Sequence, residues 1–425
     1  MKKNIFIFDQ NKCVGCHACL VACVNENGFQ ANDQWRNVHH SNDTHFPHLP
    51  LFYLSLACNH CDDAPCLKNC PALAYSRDEE TGAVIHHPEK CIGCKYCTWA
   101  CPYDAPKFNS KTGIIEKCTF CNSRILENLK PACANLCPVG ALDFAQAEFT
   151  REESIESSPV PVHVGSNLKI NTLTLRKETG PEIDFSLFND QPDNIKPEKK
   201  QTKISAQEEW PLLIFTLLST LLVVLYASEK TDQFNFTSKL IYLGFGALAA
   251  LLSMLHLGKK TRAFRSMLNI KNSWLSREII TFSLFLGSLC IDFFFYDIPD
   301  ILVIFFGITL LISIDMLYRL ASWRWPLKIH SAQTLLIGIS LFALLTNWYY
   351  MFVFTLSFRL TLYVYRKYEY GKEDLFHSIL RISFPVISAI LFYTSQDIII
   401  PLTFLLLGEI IDRIDFYNEL NVPEP

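Results

Sequence analysis

Sixteen of the seventeen cysteines in this 425-residue chain lie between Cys13 and Cys137, and they fall into four sets of four. The sets are Cys13, Cys16, Cys19, Cys23; Cys58, Cys61, Cys66, Cys70; Cys91, Cys94, Cys97, Cys101; and Cys118, Cys121, Cys133, Cys137. Cys290 stands alone in an apolar run. The opening MKKNIFIFDQ has only four apolar residues, Ile5 to Phe8, before Asp9 and Gln10, so a secretion signal is not expected. Tight C-x-x-C sets without such a signal are metal ligands more often than disulfides.

The spacing narrows the metal. Sets one and three read C-x-x-C-x-x-C-x-x-x-C, as in bacterial ferredoxins, and proline follows Cys70, Cys101 and Cys137 but not Cys23, where Val24 stands. Three close thiolates wrap one face of a 4Fe-4S cluster while the fourth, a helical turn later, reaches a neighbouring cluster. Two sets thus share two clusters, and four sets make four clusters in a row that conducts electrons. Four-cysteine zinc sites also use C-x-x-C pairs, but as two pairs across a long spacer, which fits this pattern poorly.

From about Trp210 the composition changes to long apolar runs parted by short polar loops. Residues 211–227, 240–256, 279–296, 301–318, 332–346, 349–365, 382–395 and 398–411 each approach the roughly twenty residues that span a bilayer core. The fifth and seventh are the weakest of these eight expected helices. Between the halves, VPVHV and LKINTLTL alternate like strands and predict a small appended sheet, and NDQPDNIKPEKKQTKISAQEE reads as a linker. The expected organisation is a cluster domain over 1–150, a β extension over 151–190, a linker over 191–208, a membrane domain over 209–418 and a tail over 419–425. A net charge of −4 gives no bulk argument for a nucleic-acid partner.

GAVIHHPEKCIGCKYCTWACPYDAPKF and KCTFCNSRILENLKPACANLCPVGAL resemble the four-cluster iron-sulfur subunit of the dimethyl sulfoxide reductase family of molybdopterin oxidoreductases. The resemblance covers most of residues 1 to 145. It implies pairing of the first set with the fourth and the second with the third. One cluster would take Cys13, Cys16, Cys19 and Cys137, and its neighbour Cys118, Cys121, Cys133 and Cys23. The other two would take Cys58, Cys61, Cys66 with Cys101, and Cys91, Cys94, Cys97 with Cys70. Asn128 stands where relatives tend to have glycine, and asparagine also tolerates a left-handed backbone.

EEWPLLIFT, SMLHLGKKTRAFRSMLNIKNSWLSREI and GEIIDRIDFY resemble the membrane anchor subunit of the same family. That resemblance covers roughly residues 208 to 418 and implies a quinol site near His256, with menaquinone or ubiquinone as the diffusible redox partner. A neutral imidazole suits the task, because quinol oxidation releases two protons with its two electrons. Glu278 is expected either to take the proton onward or to cap the third helix. His256, Glu278, Asp315, Glu409 and Asp412 fall toward one side of the bundle by chain direction, while Asp292 and Arg359 lie deeper with no assigned role.

Eight spans place the cluster module, the even-numbered loops and the C-terminus on one side. That side holds Lys259, Lys260, Arg262, Arg265, Lys271, Arg277, Arg319, Arg324, Lys328, Arg366, Lys367, Lys372, Arg381 and Arg413, against Lys230 and Lys239 opposite. The positive-inside rule then puts the clusters in the cytoplasm at the inner membrane, the alternative being the periplasm. The expected fold is α+β: a tandem bacterial-ferredoxin-like iron-sulfur domain, then an all-α transmembrane bundle of about eight helices. The expected function is an electron-transfer and anchor subunit linking the quinone pool to a separate molybdopterin catalytic subunit for sulfite oxidation or sulfoxide or N-oxide reduction. The alternative is a membrane-bound redox sensor or assembly scaffold without quinone turnover.

Overall fold

The computed structural model describes residues 2–29, 34–40, 53–150, 153, 164–174, 204–228, 234–322, 325, 327–370, 375–394 and 397–420. The chain divides into two compact units that meet between Gln201 and Thr202. The first is α+β and the second helical, as the sequence led us to expect.

In the first unit, β1 (Lys2–Asp9) pairs antiparallel with β8 (Leu142–Glu148) and parallel with β9 (Leu168–Asn171), so β1 is the centre of a three-stranded sheet. The alternation in IFIF turns Phe6 and Phe8 into a core with Leu142, Leu168 and Phe120. Three short hairpins lie between these strands: β2 (Asn37–His40) with β3 (Tyr53–Leu56), β4 (Tyr75–Arg77) with β5 (Val84–His86), and β6 (Lys107–Asn109) with β7 (Ile114–Glu116). Five helices accompany the cysteine sets, most of whose members lie in the adjoining loops: α1 (Ala18–Asn27), α2 (Pro65–Asn69), α3 (Tyr96–Ala100), α4 (Asn122–Leu126) and α5 (Ala132–Asn135).

Among the described residues of the expected β extension there is one strand, β9, which joins the module's own sheet in parallel with β1 and turns Leu168 and Ile170 to its core. Of VPVHV only Val164 is among the described residues, and its carbonyl accepts from Asp63 N at 3.0 Å. Most of the expected linker lies outside the described residues, but its end is packed: Ile204 and Glu209 are buried, and Ala206 N donates to Asn418 Oδ1 at 3.2 Å.

The second unit contains eight long or apolar helices among the described residues: α6 (Trp210–Ala227), α7 (Phe236–Leu255), α8 (Trp274–Phe294), α9 (Asp300–Tyr318), α10 (Thr334–Leu345), α11 (Tyr349–Tyr370), α12 (Leu375–Thr394) and α13 (Ile399–Glu419). Of these, α6, α7, α8, α9 and α12 are long and apolar enough to cross a membrane, and α10 is a shorter apolar helix of 12 residues. The chain is therefore read as a multi-pass membrane protein. Apolar side chains such as Ile241, Ile301 and Phe354 face outward, and exposed Tyr296, Trp348, Tyr350 and Tyr368 stand near helix ends, where aromatic rings suit the headgroup layer.

Helix α12 begins before the apolar run that announced it, because Arg381 is turned inward to carboxylates on α13 instead of marking a helix end. The same two helices approach closely at Gly408, where a Cβ would come within 2.8 Å of the Pro385 ring.

Candidate functional site

The four C-x-x-C loops share one backbone device. Their third residues, Gly15, His60, Gly93 and Phe120, all have positive φ, at 68°, 47°, 69° and 67°. A left-handed residue reverses the chain so that both cysteines of the pair turn to one centre, and it is glycine in two loops only. Gly15 has a further reason, since a Cβ there would overlap the Tyr53 ring at 2.4 Å. Asn128, in the loop before Cys133, also lies in the left-handed region at φ 61°.

These loops bring distant cysteines together. One small cavity is lined by Cys13, Cys16, Cys19 and Cys137. A second is lined by Cys23, Cys118, Cys121 and Cys133, and a third by Cys58, Cys61, Cys66 and Cys101. The remaining four are also neighbours: burial pushes the Cys97 thiol up, and the nearby charges of Cys94, Cys70 and Cys91 push it further, against the hydrogen bond from Tyr75. The quartets follow one another, since Cys19 feels the charge of Cys133, Cys118 that of Cys58, and Tyr75 that of both Cys66 and Cys97.

The donor set suits an iron-sulfur cluster. Burial, and then crowding by Cys133 and Cys121 against the pull of Arg36, holds the Cys23 thiol up at about 12. Four thiolates share such a cavity only around a cationic centre. The sulfurs accept from nearby donors, as bound clusters require: Ala74 N to Cys70 at 3.3 Å, Gly93 N to Cys91 at 3.4 Å, Phe120 N to Cys118 at 3.3 Å, Leu142 N to Cys137 at 3.3 Å and Tyr75 Oη to Cys97 at 3.2 Å. His60 supplies a further test. It is fully buried and lines the third cavity, its Nδ1 accepts from Val84 N at 2.9 Å, and its Nε2 has no hydrogen-bond partner among the described residues. Burial, reinforced by Lys117, holds its pKa well below the usual histidine value, so the ring is neutral and, with Nδ1 accepting, carries its proton on Nε2.

In the second unit, His256 forms the C-cap of α7 and is partly buried. The turn after it leads into a 3-10 helix over Lys260–Met267, tied to α8 by Ser276 Oγ donating to Ser266 O at 2.6 Å. Ser273 is the N-cap of α8, so Glu278 does not cap that helix. It lies in the second turn with 3 % of its surface exposed. His256 and Glu278 thus occupy the same end of two consecutive helices.

Comparison with known proteins bears on both units. The profile of the 4Fe-4S dicluster domain matches residues 49–147, and that of the DMSO reductase anchor subunit (DmsC) matches residues 204–406. A probable anaerobic dimethyl sulfoxide reductase chain, YnfG of Escherichia coli (strain K12), is 36% identical over 156 residues, covering 35% of this chain and 76% of the relative. This chain therefore belongs to the iron-sulfur subunits of the dimethyl sulfoxide reductase family.

It joins that iron-sulfur subunit and the family's anchor subunit in one polypeptide. A component of the anaerobic dimethyl sulfoxide reductase of Haemophilus influenzae is also similar, at 36% identity over 160 residues, covering 36% of this chain and 78% of the relative. A component of the sulfite dehydrogenase of Allochromatium vinosum is 32% identical over 165 residues, covering 34% of this chain and 69% of the relative. As a member of this family the protein is an electron-transfer subunit that carries 4Fe-4S clusters and its own membrane anchor.

Several residues of this dimethyl sulfoxide reductase family member escaped the sequence reading. Arg359, left without a role, pairs with Glu409 and donates to Ser331 O at 3.1 Å. Arg366 and Arg381 both reach Asp412, at 2.8 and 2.9 Å, and Lys367 bridges Asp415 and Glu419 at 2.9 and 2.7 Å. Asp315 receives the N–H groups of Thr334 and Leu335 at 2.6 and 3.1 Å, and so closes the start of α10. Asp292 accepts from Tyr226 Oη at 3.2 Å and from Ile298 N at 3.1 Å. Only the placing of single charges within apolar runs hinted at these partners.

Proposed function

We propose that this chain passes electrons between a membrane quinone and a separate molybdopterin catalytic subunit, through four 4Fe-4S clusters. The observation that supports this reading is that twelve of the cysteines line three cavities in the groupings implied by the family's pairing, while Cys70, Cys91 and Cys94 act electrostatically on Cys97. Cys13, Cys16, Cys19 and Cys137 would hold the first cluster; Cys23, Cys118, Cys121 and Cys133 the second; Cys58, Cys61, Cys66 and Cys101 the third; and Cys70, Cys91, Cys94 and Cys97 the fourth. When bound, the clusters supply one-electron carriers whose potentials the surrounding hydrogen bonds and charges set.

At the membrane end, oxidation of one quinol to quinone releases two electrons and two protons. His256 would hydrogen-bond the ring oxygen and accept one proton, and the buried Glu278 would carry it onward. The catalytic partner would act on a sulfoxide or N-oxide, or on sulfite. The relatives' names support both directions, since they include components of a dimethyl sulfoxide reductase and of a sulfite dehydrogenase. Fusion fixes one cluster module to one anchor and makes a docking step intramolecular.

The same reading places the cluster module on the cytoplasmic side of the inner membrane. Arg366, Lys367, Arg381 and Arg413 lie within helices, the first three paired with carboxylates, so they drop out of the loop count. Lys259, Lys260, Arg262, Arg265, Lys271, Arg319 and Lys328, with Arg277 in the first turn of α8, still fall to one side by chain direction, which supports that orientation. Arg324, Lys372 and Lys230 lie outside the described residues.

Iron and acid-labile sulfide analysis of the anaerobically purified chain, with EPR, tests the reading. Four 4Fe-4S clusters per chain are expected, and one or two would contradict it. Identification of the large copurifying subunit and its assay with sulfite and with sulfoxides names the reaction. A reporter-fusion map placing residue 230 in the cytoplasm would overturn the orientation.

A further inference from the structure

Among the described residues Arg36 is a buried cation without a carboxylate partner. Only 2 % of its surface is exposed, and among the described residues no acidic side chain pairs with it. Its Nη1 donates to Ser55 O at 3.2 Å and to Ser55 Oγ at 3.1 Å, its guanidinium lies 4.8 Å from the Phe6 ring centroid, and its Nε has no hydrogen-bond partner among the described residues. A lone charge in such a place costs several kcal/mol unless something compensates it. Among the described residues Lys117 is the other buried Lys or Arg of this unit, and it donates to two carbonyls, those of Val84 and Cys118.

The surroundings of Arg36 identify the missing partner. It lines the cavity of Cys23, Cys118, Cys121 and Cys133, and Ser55 Oγ, to which it donates, lies 3.3 Å from Cys19 Sγ of the preceding quartet. We infer that Arg36 is the counter-charge of the cluster held by Cys23, Cys118, Cys121 and Cys133, and that it raises that cluster's reduction potential relative to its neighbours. This rests on the four-cluster reading. One-electron reduction adds one negative charge to an already anionic centre, and a fixed buried cation stabilises the reduced form more than the oxidised one. Arg36 therefore makes this position an electron well in the row, and Cys19 of the preceding quartet, joined to it through Ser55 Oγ, feels the same field.

The test is an EPR-monitored redox titration of the purified full-length protein and of its Arg36→Gln and Arg36→Lys variants. The relevant signal is assigned by its loss in Cys121→Ser. In Arg36→Gln the reduced-to-oxidised ratio of that cluster is expected to fall about tenfold at fixed ambient potential, a shift of about 59 mV for one electron, with smaller shifts elsewhere. Arg36→Lys, which keeps the charge, is expected to stay near the wild type. If Arg36→Gln fails to retain this one cluster while Arg36→Lys retains it, the charge requirement stands. Unchanged midpoints in fully loaded Arg36→Gln, or equal loss of the cluster from both variants, would overturn the inference. Wild-type protein lacking four clusters would overturn the cluster reading itself, and this inference with it.

Discussion

His60 stacks on Phe120 with ring centroids 4.3 Å apart and planes inclined by 12°. The two residues hold the same left-handed position in their C-x-x-C loops, and each lines the cavity of its own quartet. Phe120 also meets Phe6 and Phe144 edge-on, at 5.0 and 5.4 Å. Replacing Phe120 by Ala removes this junction while keeping the strained backbone. A loss of about 3–5 kcal/mol is expected, read as a lower thermal midpoint for bleaching of cluster absorbance. An unchanged midpoint would show that the stack contributes little.

In the membrane unit, Arg359 and Glu409 form a pair that solvent does not reach, with Asp412 4.0 Å from the same guanidinium. Removing one partner strands a buried charge. Arg359→Met or Glu409→Leu alone is expected to cost about 3–5 kcal/mol, and the double variant less than the sum. Unfolding of the detergent-solubilised protein in rising SDS measures the cycle, and strictly additive costs would argue against a direct pair.

Asp315 joins the end of α9 to the start of α10, a helix of only 12 residues. Asp315→Ala leaves two helix-start N–H groups without their carboxylate, at an expected cost of about 1 kcal/mol, comparable to loss of an N-cap. Faster amide exchange at Thr334 and Leu335 locates the effect. Protection equal to the wild type would show that water replaces the carboxylate.

His86 makes the first unit sensitive to acid. Burial, with Lys117 nearby, lowers its folded pKa to about 4, against about 6.5 in the unfolded state. Its contribution is complete above pH 6.5 and is lost as pH falls toward 4, because the unfolded state then takes up the proton more readily. His86→Gln is expected to bleach more slowly than the wild type at pH 5 and at a similar rate at pH 7.5. A variant with the same pH dependence as the wild type would remove His86 from the account.

What the sequence disclosed follows the range of the interactions. Cys13 to Cys19 and Cys91 to Cys97 announce themselves, because ligand spacing on one loop is a local code. The helices α6 to α9 announce themselves as apolar runs of bilayer length. Arg36 did not, since its meaning depends on Ser55 and on Cys118, far along the sequence. Nor did the charges of α11 and α13, whose apolarity falls short taken singly because Arg359, Arg366, Glu409 and Asp412 neutralise one another across helices. Strand β9 was visible as alternation, but its place beside β1 rests on a pairing over more than 150 residues that no local pattern encodes.

The central claim is that one polypeptide takes electrons from a quinol into its own clusters. Anaerobic mixing of the purified full-length protein with excess reduced menaquinone analogue, followed by freeze-quench EPR, tests it without any catalytic subunit present. The account predicts reduced-cluster signals within the mixing series, strongly slowed in His256→Ala while dithionite still reduces that variant fully. Clusters that dithionite reduces but quinol leaves oxidised in the wild type would contradict it.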